Sequence, residues 1–288
     1  MQSTISLERN KLGWPMWKAV TLYYAITCGW AWLAWSPVVL GSGGLKLIHL
    51  NAPLPVFTCI ATLGPFFGCF LTHRLETGNW RAVHLLPRSL LQWLWLLMGP
   101  LLVLVTYFVV YPALISKGSP AQWHWQPAVL TGLWVPMFNY NLLGGPLFEE
   151  FGWRGFLQAR LQQVMPSWIA AICVGILWSA WHAPLFLATW SSASPLTYIL
   201  IVIGLALLIA CAFNASGGAV LVAIMMHSAF NASSRFLDPF LGDTPTHEYP
   251  SGEMFIAFAF LATAALVVVL TRGRLKPGAN PSTSITLG

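Results

Sequence analysis

An all-α, polytopic membrane helix bundle is the fold class this sequence predicts, and three observations carry it. Hydrophobic residues make up 57% of the 288 and charged residues only 8%, with a mean hydropathy of +0.69, where an ordinary soluble domain is roughly 25% charged. Apolar runs of about 20 residues recur, the length a helix needs to cross about 30 Å of hydrocarbon. Many of the 16 tryptophans stand near the ends of those runs (Trp14, Trp17, Trp80, Trp123, Trp125, Trp168, Trp190), as interfacial belts do. Short alternating segments of the kind that build a barrel do not dominate.

Apolar length, with Gly, Pro and charge as punctuation, places about eight helices at 16–40, 53–72, 90–115, 127–163, 167–190, 195–214, 217–235 and 252–271. The first follows Glu8, Arg9 and Lys11 and is too long for a signal peptide, with no small-residue cleavage site, so it is expected to be retained. The fourth is too long to lie wholly in lipid. Its Gly144-Gly145-Pro146 predicts a kink, a tilt or a division into two pieces. The fourth and fifth form a hairpin whose turn is marked by Met165-Pro166-Ser167. After the eighth, the segment 275–288 has the composition of a disordered tail. The loop at 236–251 is the only outer segment of any size. With no internal repeat, residues 1–288 are read as a single integral membrane domain.

Charge sets the orientation. With the N-terminus inside, Arg9, Lys11, Lys18, Arg74, Arg81, Arg88, Arg154, Arg160, Arg272, Arg274 and Lys276 are cytoplasmic, and only Lys46, Lys117 and Arg235 lie outside. Both termini are therefore expected in the cytoplasm, and in a bacterial cell the membrane is the inner one. The formal charge of +6 is scattered between spans rather than gathered on a domain, which argues against nucleic acid. The five cysteines (Cys28, Cys59, Cys69, Cys173, Cys211) show neither a CxxC pair nor a zinc spacing and read as small core residues.

Chemistry concentrates in LFEEFGWRGF, residues 147–156. Six of the eight acids (Glu8, Glu76, Asp238, Asp243, Glu248, Glu253) fall in loops, at span edges or in the N-terminal segment, where solvent accounts for them. Glu149 and Glu150 belong to a span, where charge is expensive. Neighbouring helical positions are about 100° apart, so the two point differently. Glu150 and Arg154 are i,i+4 and pair along one face, leaving Glu149 aimed elsewhere. Glu149 lies 17 residues before Pro166 and His182 lies 16 after it, so regular antiparallel helices set them at nearly the same depth. Trp178 is one turn before His182. On the seventh helix His227 and Asn231 are again i,i+4. A carboxylate that takes a proton from water, a histidine that shares or returns it, and a His–Asn pair that donates to an oxyanion suit hydrolysis of an acyl bond.

Glu149-Glu150-x-x-x-Arg154, Trp178-x-x-x-His182 and His227-x-x-x-Asn231, in that order on successive membrane helices, resemble the motifs of the CPBP family, the CAAX protease and bacteriocin-processing group also called Abi proteins. The resemblance covers about residues 127–235, and the eight-span layout is similar to the prenyl-protein endopeptidase branch. Trp178 departs from it, since the family more often has Phe there; either ring can wall a cavity. The resemblance implies an intramembrane endopeptidase with an active site among helices 4, 5 and 7. Glu149 would activate water, His182 would help hold it, His227 and Asn231 would stabilise the oxyanion, and Glu150, Arg154 and Trp178 would support them. Its substrate would be a peptide or protein in or at the lipid bilayer, prenylated or bacteriocin-like.

Spacing alone leaves a catalytic zinc open, with Glu149, His182 and His227 as ligands; the reading favours no cofactor. A rival class also stays open, a proton-coupled transporter that uses the same intramembrane Glu and His, although no duplicated half with paired broken helices supports it. Asn139, Asn141 and Asn214 read as interhelical hydrogen-bonding residues. His49, His73, His84 and His124 read as interfacial. His247-Glu248 begins like a zinc-protease helix, but Pro250 follows and no second histidine does.

Overall fold

A computed structural model describes residues 14–80, 82–115, 142, 144–188, 193–235 and 250–275. Among them every regular element is helical, and contiguous turns join into eight helices. These are α1 (Met16–Leu40), α2 (Leu54–Thr77), α3 (Leu90–Leu114), α4 (146–161), α5 (Ser167–Trp181), α6 (Pro195–Ala215), α7 (Val220–Arg235) and α8 (Pro250–Leu270). Among the described residues five stretches are long and apolar enough to cross a membrane: α2, α3, Ser167–Ala188 (α5 with the turn after it), α6 and Glu253–Leu270. Of the eight spans expected, these five meet both conditions. Helix α1 has the length, 25 residues, but Tyr23, Tyr24, Trp30, Trp32 and Trp35 interrupt its aliphatic run. The apolar part of α7, Val220–Ser233, is shorter than a full span.

Local chemistry explains the boundaries. Helix α2 runs past the expected end at 72 to Thr77. Gly78 stops it in the left-handed region, at φ 73°, with its N–H on the Arg74 carbonyl at 2.9 Å. Helix α4 begins at Pro146, a residue suited to a first helical position, with Gly145 as its cap. That agrees with the division expected at Gly144-Gly145-Pro146. The part of the fourth predicted helix over 127–141 lies outside the described residues. So do Asn139, Asn141, His124, His247-Glu248, the loop at 236–249 and the tail from 276.

Helix α5 falls short of the expected 190: α-helical geometry ends at Trp181, His182 is its cap, and a 3₁₀ stretch follows over Ala183–Ala188. Pro184 is the reason, since it lacks an N–H and disfavours helical φ/ψ at Ala183. Helix α4 also departs from regularity, being π-helical over Phe151–Gln158. The equal rise that the hairpin count assumed for both helices therefore does not hold.

The bundle is assembled by helices that approach closely. Helix α6 is the most deeply buried of these five stretches. Helix α6 is thus the inner member, with α5, α7 and α8 against it. Small residues permit the contacts: a Cβ on Gly175 of α5 would lie 2.9 Å from the Ile203 Cα, and one on Gly204 2.8 Å from Phe260. Helix α1 packs along α2, α7 along α3, and α4 is enclosed by α2, α5 and α7. Gly152 brings α4 within reach of α1 and α2, where an added Cβ would meet the Tyr23 hydroxyl at 2.5 Å and the Pro65 carbonyl oxygen at 2.6 Å. The start of α7 is capped from outside its own helix. Val220 and Leu221 N–H donate to the carbonyls of His84 and Leu85, each at 3.0 Å, filling donors that a helix start leaves open. The same surface segment lays Val83 against Gly155 of α4.

Two further expectations are settled here. All five cysteines are free; Cys28, Cys69 and Cys211 are buried, Cys173 is half-buried and Cys59 exposed. Asn214 does join helices: it exchanges two amide hydrogen bonds with Gln162, at 3.1 and 2.7 Å, tying the end of α6 to the end of α4. Glu76 requires a correction. It is not left to solvent, because its side chain is 1% exposed and pairs with Arg160, which lies over the Phe156 ring at 3.7 Å.

Candidate active site

Glu149 sits in the first turn of α4 and Glu150 follows it, and both are buried. The i,i+4 pair expected from the sequence is present. Arg154 Nη1 donates to Glu150 Oε1 at 2.8 Å, with both side chains fully buried. Such burial is tolerable only when charge is paired. Helix α7 adds a second partner, His227, whose Nδ1 lies 2.9 Å from the same Oε1. A carboxylate can only accept, so Nδ1 carries the proton, and Nε2 is the nitrogen left to face anything else. This contact joins residues 77 apart in the chain. Nothing in the i,i+4 pattern of either helix signals it.

Glu149 takes the other direction, as expected. Its Oε2 accepts the indole N–H of Trp178, on α5, at 2.9 Å. Its Oε1 lies over the cap of α4, where a Cβ on Gly145 would be 2.7 Å away. Gly145 is thus a residue of the site that the sequence marked only as a helix break. The close approach of the carboxylate needs a residue without a side chain there.

His182 owes its orientation to the early end of α5. Its backbone N–H turns to Ser179, 3.1 Å away, which frees the Trp178 carbonyl from the usual i,i+4 bond. The His182 ring takes that carbonyl instead, with Nδ1 donating at 3.0 Å. That bond places the ring's proton on Nδ1. Aromatic rings enclose the imidazole: Trp181 at 4.5 Å, Tyr198 of α6 at 5.5 Å and Trp35 of α1 at 5.9 Å between centroids. Neither Tyr198 nor Trp35 carried a signal in the sequence, because each meets His182 only through packing between helices.

Trp178 is where these groups converge. Besides its bonds to Glu149 and His182, its ring meets His227 edge-on at 4.8 Å and lies under the Arg154 guanidinium at 4.6 Å. Glu149, Glu150, Arg154, Trp178, His182 and His227 thus form one connected, buried cluster. Asn231 lies one turn beyond His227 on α7, half-buried. Among the described residues no three His, Cys, Asp or Glu side chains gather as a metal-binding group. The steps written below use the side chains of this protein alone. Chemically, the cluster offers a buried carboxylate beside aromatic rings, and two buried imidazoles.

Comparison with known proteins points to one kind of protein. Residues 131–233 match the family model described as "Type II CAAX prenyl endopeptidase Rce1-like". A stretch of 51 residues is 45% identical to CAAX prenyl protease 2 of Methanococcus maripaludis. That stretch covers 18% of this chain and 18% of the relative. Both matches are to proteins named for proteolysis rather than transport.

Proposed function

We propose, from a domain over residues 131–233 similar to the Rce1-like type II CAAX prenyl endopeptidases, that this membrane-integral protein is an endopeptidase acting on a protein or peptide in or at the bilayer. Glu149 takes a proton from water, and the resulting hydroxide attacks the carbonyl carbon of the scissile peptide bond. His182 Nε2 helps hold that water, and the proton taken up by Glu149 is passed by way of His182 to the departing amine as the C–N bond breaks. His227 and the Asn231 amide face the tetrahedral oxygen. Glu150 and Arg154 hold His227 in place. The charge asymmetry of the loops supports both termini on the cytoplasmic side, and the substrate enters from that side or from the bilayer.

The observation that carries this reading is the convergence of Glu149, His182 and His227 on buried Trp178. The test is cleavage of a peptide panel, with and without prenyl groups, by the purified protein. Glu149→Gln and His182→Ala are expected to lose at least about 100-fold in kcat with melting temperatures close to wild type. Undiminished cleavage by Glu149→Gln would remove the mechanism.

A further inference from the structure

Trp178 occupies a place where the similar family more often carries phenylalanine, and the ring alone would serve to wall the site. The structure gives the indole a second task that a phenyl ring cannot perform. Its N–H donates to Glu149 Oε2 at 2.9 Å, while the same residue's carbonyl accepts Nδ1–H of His182 at 3.0 Å. One residue, 2% exposed, therefore fixes the carboxylate on α4 and the imidazole on α5 relative to each other. The bond to Glu149 engages one oxygen and leaves the other, Oε1, over Gly145. The bond to His182 selects the tautomer that carries its proton on Nδ1. A group held within a narrow arc reacts faster than one that must find its rotamer.

The geometry points to Trp178 as a positioning residue of this protein: its indole N–H aims the Glu149 carboxylate while its backbone aims His182. This rests on the protease reading for its kinetic consequence, though not for the hydrogen bond itself.

The decisive variant replaces Trp178 with β-(3-benzothienyl)alanine, which keeps the bicyclic shape and puts sulfur where the N–H was; Trp178→Phe accompanies it. In the full-length protein in lipid nanodiscs, kcat is expected to fall about 10-fold or more with KM unchanged, the size of effect that loss of a hydrogen bond to a charged group produces. A merely structural ring would leave kcat of the benzothienyl variant at the wild-type value, and that result would overturn the inference while leaving the protease reading intact. A second measurement needs no activity. With 15N-tryptophan labelling, the indole resonance that disappears in Trp178→Phe is expected to move in Glu149→Gln. If the wild type cleaves no peptide, the protease reading fails by itself, and an unmoved resonance would still overturn the hydrogen bond.

Discussion

Replacing Arg154 with methionine removes one of two partners from a carboxylate that has no access to water. Glu150 and Arg154 are both fully buried, so solvent screening does not soften the loss. Glu150 would keep only the His227 bond on Oε1, and among the described residues its Oε2 meets no hydrogen-bond partner. Breaking a buried pair in this way costs about 3–5 kcal/mol, which for a chain of this size lowers the melting temperature by about 10 °C. The double variant Glu150→Leu with Arg154→Met discards both charges and leaves only the His227 N–H without an acceptor, at about 1–3 kcal/mol. It should therefore melt above the single variant, by roughly 5 °C at about 2 kcal/mol of recovery. Thermal unfolding of the three proteins in the same detergent checks this. A double variant that melts below Arg154→Met, or an Arg154→Met protein that melts with wild type, would show that the pair is not the buried, mutually dependent unit described here.

Three other outcomes follow from the geometry. Gly145→Ala places a methyl group against Glu149 Oε1, at 2.7 Å before any shift; kcat is expected to fall on the order of 100-fold through misplacement of the carboxylate, with KM changed far less. Gly152→Ala drives a Cβ onto the Tyr23 hydroxyl and the Pro65 carbonyl, an overpacking worth about 1–3 kcal/mol in thermal unfolding. Peptide cleavage measured with and without a strong chelator is expected to be unchanged, and loss restored by zinc would contradict the metal-free steps written for Glu149 and His182.

Local periodicity made part of this site legible. The Glu150–Arg154 pair follows from i,i+4 spacing, the break before Pro146 from Gly-Gly-Pro, and the interhelical role of Asn214 from a lone amide in an apolar run. The end of α5 at His182 was also available in principle, since Ala183-Pro184 forbids a continued α-helix; reading apolar length alone ran past it. The remaining features depend on contacts between distant helices. No pattern within α4 or α7 foretells that His227 reaches Glu150, or that Glu76 on α2 finds Arg160. The π-helical geometry of 151–158 further alters which residues share a face. The indole N–H of Trp178 was present as chemistry, yet its acceptor is visible only once α4 and α5 are packed together.

The segment between α2 and α3 acts as a splint. Its His84 and Leu85 carbonyls grip the first turn of α7, and Val83 rests on α4 at Gly155, so two motif-bearing helices are braced by a stretch that contributes no reagent. Trimming that stretch, or inserting a tag or reporter into it, would loosen His227 and Glu149 together. Protein engineers working on this chain should leave 82–85 intact and look elsewhere for a permissive site.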